Sequence, residues 1–155
     1  RISWSHGTSP VNIDRADTKG VEAEAVARPT KDTALSLNYT YMKPIDETTG
    51  QLITYTIPKK QLKGSVTAAV DTDVTITVEG RAVENYVDPG APKWRYSVYD
   101  AKIAQKIGKK GPRVGEIYFA MTNIFGRKYD SLKDPSFGDY PGAPKEIRGG
   151  ITYPF

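Results

Sequence analysis

A two-residue hydrophobic period recurs along almost the whole chain, and it constrains the fold more than any other feature. At the carboxy-terminus Tyr153, Ile151, Gly149 and Ile147 alternate with Thr152, Gly150 and Arg148, and the sequence closes on Phe155. Thr33, Leu35, Leu37, Tyr39 and Tyr41 alternate with Ala34, Ser36, Asn38 and Thr40. The same period runs through Leu62 to Val70, Val74 to Ala82, Tyr99 to Ile103 and Val21 to Ala27. Side chains on a strand point alternately to opposite faces, so each segment reads as a strand with one apolar and one polar face. Residues 116–125 are apolar on both faces and leave their register open, and residues 1–7 read as the tail of another strand. Helical periodicity is nearly absent, and the expected class is all-β.

Alternation does not say which solvent the apolar face meets. A soluble sheet protein turns that face inward, whereas a membrane barrel turns it to lipid and its Glu, Lys, Arg and Thr to a watery interior. Many apolar-face residues are Ala, Gly or Val, which suits lipid better than an interdigitated core. The connections also favour lipid. They run Pro29–Asp32, Pro44–Lys59, Asp71–Asp73, Val87–Arg95, Gly108–Gly115 and Gly126–Lys145, short and long in turn. Outer-membrane barrels have short periplasmic turns and longer external loops. On that pattern Phe155 and all three short turns lie on the periplasmic side. Tyr39, Tyr41, Tyr86, Tyr96 and Tyr99 then fall near the long loops, as members of an external aromatic girdle.

Composition allows this reading. The mean hydropathy is −0.51, and no apolar run approaches the roughly 18 residues of a membrane helix. A transmembrane barrel shows lipid only half of each strand, so its mean hydropathy looks soluble. The 155 residues suffice for one domain. The net charge of +4 is spread out and does not demand nucleic acid. No signal peptide opens the sequence at Arg1, so an exported protein is expected here as a mature form or a fragment.

The residues resemble the carboxy-terminal third of the TonB-dependent receptors of Gram-negative outer membranes. Asn12 to Glu24 looks like the family's "N-x-x-x-A-x-x-x-G-V-E-x-E" strand, with Gly20, Val21, Glu22 and Glu24 in register. Leu37, Tyr39 and Tyr41 resemble its "L-x-Y-x-Y" strand, and Pro58-Lys59-Lys60 its "P-x-H" segment without the histidine. Tyr96 and Asp100 are similar to "Y-x-x-x-D", and Asn123 to Tyr129 to "N-L-F-D-x-x-Y". Tyr140-Pro141-Gly142-Ala143-Pro144 stands where the family often has "P-G-R", here without the arginine.

The resemblance implies an antiparallel up-and-down transmembrane β-barrel, of which residues 1–155 supply the carboxy-terminal seven or eight strands of about 22. It implies uptake of a scarce ligand such as a siderophore, cobalamin or haem, with the plug and signal peptide outside this chain. The implied partners are the lipid bilayer, the rest of the barrel and its plug, TonB through that plug, and a small-molecule ligand. Phe155, Tyr153 and Ile151 resemble the signal read by the barrel-assembly machinery, with Pro154 a departure from it. No covalent chemistry, cofactor or nucleic acid is implied. Two other readings are a self-contained barrel of about eight strands and, less favoured, a soluble RNA-binding module.

Residues that could carry other chemistry have plainer readings. There is no cysteine and one histidine, His6, so neither a His/Cys metal site nor a Ser-His-Asp centre is expected. Gly108-Lys109-Lys110-Gly111 mimics an RNA-binding GxxG loop, but that loop joins two helices and this one follows an alternating strand. Asp46-Glu47 and Asp71-Thr72-Asp73 read as turn formers rather than cation ligands. In the last long connection Lys128, Tyr129, Lys133, Phe137, Asp139 and Tyr140 are the candidates for contact with a ligand.

Overall fold

The computed structural model describes residues 2–5, 9–12, 16–52, 58–85, 95–108, 114–134 and 138–153. Within them lie strands β1 (Ile2–Ser5), β2 (Ser9–Asn12), β3 (Ala16–Thr30), β4 (Thr33–Asp46), β5 (Pro58–Ala69) and β6 (Val74–Asn85). They are followed by β7 (Arg95–Ile107), β8 (Gly115–Thr122), β9 (Asp130–Asp134), β10 (Gly138–Pro141) and β11 (Glu146–Thr152). Seven of these strands form one antiparallel sheet in the order β11-β8-β7-β6-β5-β4-β3. Each strand lies beside its neighbour in the chain, apart from the β9–β10 hairpin inserted between β8 and β11. The sheet is therefore the all-β, antiparallel, up-and-down meander expected from the alternation. It is open, with β3 and β11 as its edges, and β1 pairs with β2 in a sheet of their own.

The register unites the apolar positions into one surface. Ala27, Leu35, Val66, Val78, Ala101, Met121 and Ile147 are successive cross-strand partners, one from each of the seven strands. The next row towards the short turns carries Ala68, Ile76, Ile103, Phe119 and Gly149. The opposite face reads Glu24, Asn38, Lys63 and Arg81 in one row and Thr67, Thr77, Lys102, Ala120 and Arg148 in another. Leu37, Val66, Ile76, Ile103 and Ile151 thus share the apolar face, while Asn38, Thr67, Glu79 and Lys102 share the polar one. On the polar face Ser36 and Ser65 hydroxyls hydrogen bond at 2.7 Å, and the Lys102 ammonium donates to Glu116 at 2.7 Å.

The apolar face is uncovered among the described residues. Val66 is 47% exposed, Val78 42% and Ile151 67%. Six interstrand gaps of about 4.8 Å span roughly 29 Å, and Val74 to Ala82 along β6 adds about 26 Å. The resulting area, on the order of 750 Å², exceeds the few hundred Å² that soluble monomers usually expose. What core exists lies on the other face. Val83, Tyr96 and Val98 are buried there, with Tyr129 and Leu132 packed against them.

Several elements differ from the sequence expectation. Strand β4 continues through Pro44, which is fully buried. Beyond Tyr41 it has no registered β5 partner, so the missing proline donor breaks no bond on that side. Residues 126–145 contain a hairpin rather than only a loop. The doubly apolar segment resolves as β8, with Ile117 and Phe119 on the apolar face and Tyr118 and Ala120 on the polar one.

Candidate ligand-facing surface

The connection between β8 and β11 folds over the polar face at the long-loop end, and one residue closes its base. Asn123 adopts a left-handed backbone, φ 47°, and is 4% exposed. Asparagine tolerates this region because its short amide bonds locally. The Asn123 amide nitrogen donates to the carbonyls of Arg127 at 2.8 Å and Ala143 at 3.1 Å, and its oxygen accepts from the Arg127 N–H at 2.9 Å. The Asn123 backbone N–H donates to the Asp100 carboxylate at 2.7 Å. Six residues on, the chain lays the Tyr129 ring on Tyr96, with centroids 4.4 Å apart. Residues four apart on a strand share a face, so Tyr96 and Asp100 of β7 together receive Tyr129 and Asn123. Two motifs noted separately in the sequence are therefore halves of one clasp. Gly142 lies directly beneath the Tyr129 ring, where a Cβ would collide with it.

Below the clasp the polar face holds an open cavity of about 400 Å³, lined in part by Asn38, Lys63, Glu79, Arg81 and Asp100. Lys63 stands opposite Arg81, and Glu79 opposite Asp100. Like charges directly across a ladder repel. Among the described residues none of the four forms an ion pair. Arg81 instead lies 5.9 Å from the Tyr96 ring centroid. Two cations and two carboxylates thus face a single opening, an arrangement suited to a polar ligand or a charged protein surface. The buried Asn85 amide nitrogen, on the same strand face as Val83, has no hydrogen-bond partner among the described residues.

The expected loop contacts are only partly assembled. Tyr129 is half-buried in the clasp, Lys128 and Asp139 are exposed, and Tyr140 is 45% exposed. Asp139 pairs through its backbone with Lys133. Phe137 lies outside the described residues, as do Tyr86, Phe155 and His6. Tyr39, Tyr41 and Tyr99 stand on the apolar face near the long-loop end, where a girdle was expected. Tyr96 does not, because it faces the polar side and is buried. Ile151 is on the apolar face, and the Tyr153 ring covers Gly115. The Asp46 carboxylate accepts from the N–H groups of Thr48 and Thr49, and Asp71 from that of Thr72, as turn formers do. Sequence reasoning missed Asn123, Gly142 and the Lys63, Glu79, Arg81 and Asp100 quartet as site residues. Asn123, Asp100 and Gly142 had left a signal as members of quoted motifs, whereas Lys63, Glu79 and Arg81 left only their place on the polar face.

No family model matches the chain, and no curated protein sequence matches it. Among solved structures it is similar to the open form of the ferric-catecholate import receptor Fiu from E. coli K12, with a TM-score of 0.63 at 16% identity. The match covers 89% of this chain and 21% of that receptor, so the chain spans about a fifth of the receptor's length. At this identity the likeness is one of fold.

Proposed function

We propose that the chain is the carboxy-terminal part of the barrel of a TonB-dependent receptor in a Gram-negative outer membrane. The seven-strand apolar surface, with all charge relegated to the other face over its middle rows, is the observation that carries this reading. Strands β4 to β7 have 12 to 14 residues, against the roughly 9–11 that a membrane-crossing strand needs. The likeness to an import receptor supports the same reading. The polar face then lines the lumen, against the plug. The clasp holds the last external loop over that lumen, with Lys128, Tyr129, Asp139 and Tyr140 near the mouth. The ligand is a scarce nutrient such as a siderophore, cobalamin or haem, bound and passed inward without covalent change. TonB acts through the plug, and Ile151, Tyr153 and Phe155 present the strand end to the assembly machinery.

The alternative of a self-contained eight-stranded barrel requires its two sheet edges to pair. Among the described residues β11 pairs with β8 alone and β3 with β4 alone, while β1 pairs with β2. The RNA-binding reading needs helices around its GxxG loop, and no helix occurs among the described residues.

The chain lacks cysteine, which makes a labelling test clean. Single cysteines replace Leu37, Val66, Ile76 and Ile103, or Asn38, Thr67, Glu79 and Lys102, in protein reconstituted into phosphatidylcholine vesicles. A fluorophore on the first set should be quenched by lipid-borne quenchers, and one on the second by aqueous quenchers. Aqueous quenching of both sets equally would remove the membrane reading.

A further inference from the structure

The apolar face changes character at its long-loop end. The register row through Tyr41 continues with Lys60, Glu84 and Arg95. Arg127 joins it from the loop, its guanidinium donating to the Ser97 hydroxyl at 2.9 Å on the same face. Further along the rim Lys19 and Lys43 are direct cross-strand partners. Asp17, on the same strand face, lies 3.4 Å from the Lys19 ammonium. At the short-turn end the described residues of this face are uncharged, among them Thr33, Ala68, Gln105 and Ile107. Among the described residues the cations of the apolar face therefore lie along one edge.

That edge is also shaped. A cavity of about 400 Å³ is lined by Tyr39, Lys60, Glu84, Arg95 and Arg127, with Leu62 and Ala82 at its lower margin. Glu84, its one carboxylate, lies within 3.8 Å of both Lys59 and Lys60. Arg95 and Arg127 have no carboxylate partner among the described residues. Leu62 and Ala82 also line a second opening of about 430 Å³, further down the apolar face. Its floor is the cross-strand pair Gly64 and Gly80, and its walls include Leu37 and Tyr99. A cationic pocket thus opens directly into an apolar trough floored by two glycines.

We infer that this outward rim is a binding site for a single phosphate-bearing membrane lipid. The headgroup sits between Arg95, Arg127 and Lys60, and an acyl chain lies over Gly64 and Gly80. Charge complementarity selects an anion, and continuity with the apolar trough selects a lipid over a free phosphate. The site lies on the opposite side of the sheet from the proposed ligand-facing cavity. It rests on the membrane reading above.

The test uses the full-length protein in phosphatidylcholine nanodiscs, with retained phosphatidylglycerol measured by native mass spectrometry. Phosphatidylglycerol should be retained in preference to phosphatidylcholine. Arg95→Gln with Arg127→Gln should weaken retention roughly thirtyfold, from a factor of about five per cation at an anionic surface. Gly64→Val should weaken it severalfold with the barrel intact, because a Cβ there meets Leu37 Cδ1 at an ordinary 3.5 Å. Lys106→Gln, which removes a cation from the other face, should change nothing. Equal retention of the two lipids, or no loss in the double arginine variant, overturns the site. Unchanged retention in Gly64→Val overturns the chain trough, and displacement by millimolar inorganic phosphate overturns the lipid assignment. A protein that never enters the nanodisc fails the membrane reading instead.

Discussion

Replacing Asn123 by alanine tests whether one side chain holds the last long loop on the polar face. The change removes three side-chain hydrogen bonds, to the Arg127 carbonyl, the Arg127 N–H and the Ala143 carbonyl. At about 1 kcal/mol net for each bond, the loss is about 3 kcal/mol. Alanine must also hold φ 47°, which adds about 1 kcal/mol for a residue with a Cβ. The sum, about 4 kcal/mol, corresponds to roughly a thousandfold rise in loop opening. Hydrogen exchange of amides in residues 124–134 and 138–145, read against those of β5 and β6, measures it directly. The Gly142 N–H, bonded to the Tyr129 carbonyl at 2.7 Å, should be among the amides that lose protection. Asn123→Gly loses the same bonds but accepts the backbone angle, so it should be about 1 kcal/mol milder. Loop exchange within threefold of the parent in Asn123→Ala would show that the clasp does not depend on these bonds.

Other perturbations probe the two faces separately. Val78→Lys, at the centre of the apolar surface, should cost about 2–4 kcal/mol in folding into bilayers, while Thr67→Lys on the polar face, opposite Ala34 and Thr77, should cost little; urea titrations in vesicles measure both. Tyr96→Ala and Tyr129→Ala should couple by about 1 kcal/mol in a double-mutant cycle, as stacked rings do beyond their area, with loop exchange as the readout. Gly142→Ala should displace the Tyr129 ring from Tyr96 and expose Tyr129 to surface oxidation, with little change in the exchange of β5.

The strand faces were legible in the sequence because their period is short and local. A run such as Leu35, Leu37, Tyr39 carries its own parity, and the register only had to bring equal parities together. Legibility ended where parity has no local anchor. Tyr96 follows a long connection, and Val83, Tyr96 and Val98 place apolar groups on the polar face. Nothing in the neighbouring residues separates a girdle tyrosine from one that lies beneath a loop. The β9–β10 hairpin escaped for a related reason, since each strand is only four or five residues long and neither alternates clearly. The cationic rim was dispersed as well. Lys60, Arg95 and Arg127 come from β5, β7 and a turn, and only the register and the Arg127 bond to Ser97 bring them together.

The choice made by the β8–β11 connection bears on the solvent of the apolar face. Burial of apolar area is favourable wherever water is displaced. In water, a loop carrying Tyr129 and Leu132 would gain most by covering Leu37, Val66, Val78 and Ile103, the largest apolar expanse available. It covers instead the small cluster of Val83, Tyr96 and Val98, on the face that also carries Lys63, Glu79 and Arg81. The turn at its base does reach the apolar side, where Phe125 meets Tyr99 edge-on at 5.6 Å, but only at the rim. Among the described residues this loop leaves the larger apolar surface open while packing onto the polar one, as expected for an outer face that gains nothing from being covered. On the membrane reading proposed above, lipid has that property, because its chains are as apolar as the side chains they touch. If Phe125→Asp and Val78→Lys proved equally harmless to folding in bilayers, this distinction between rim and band would fail.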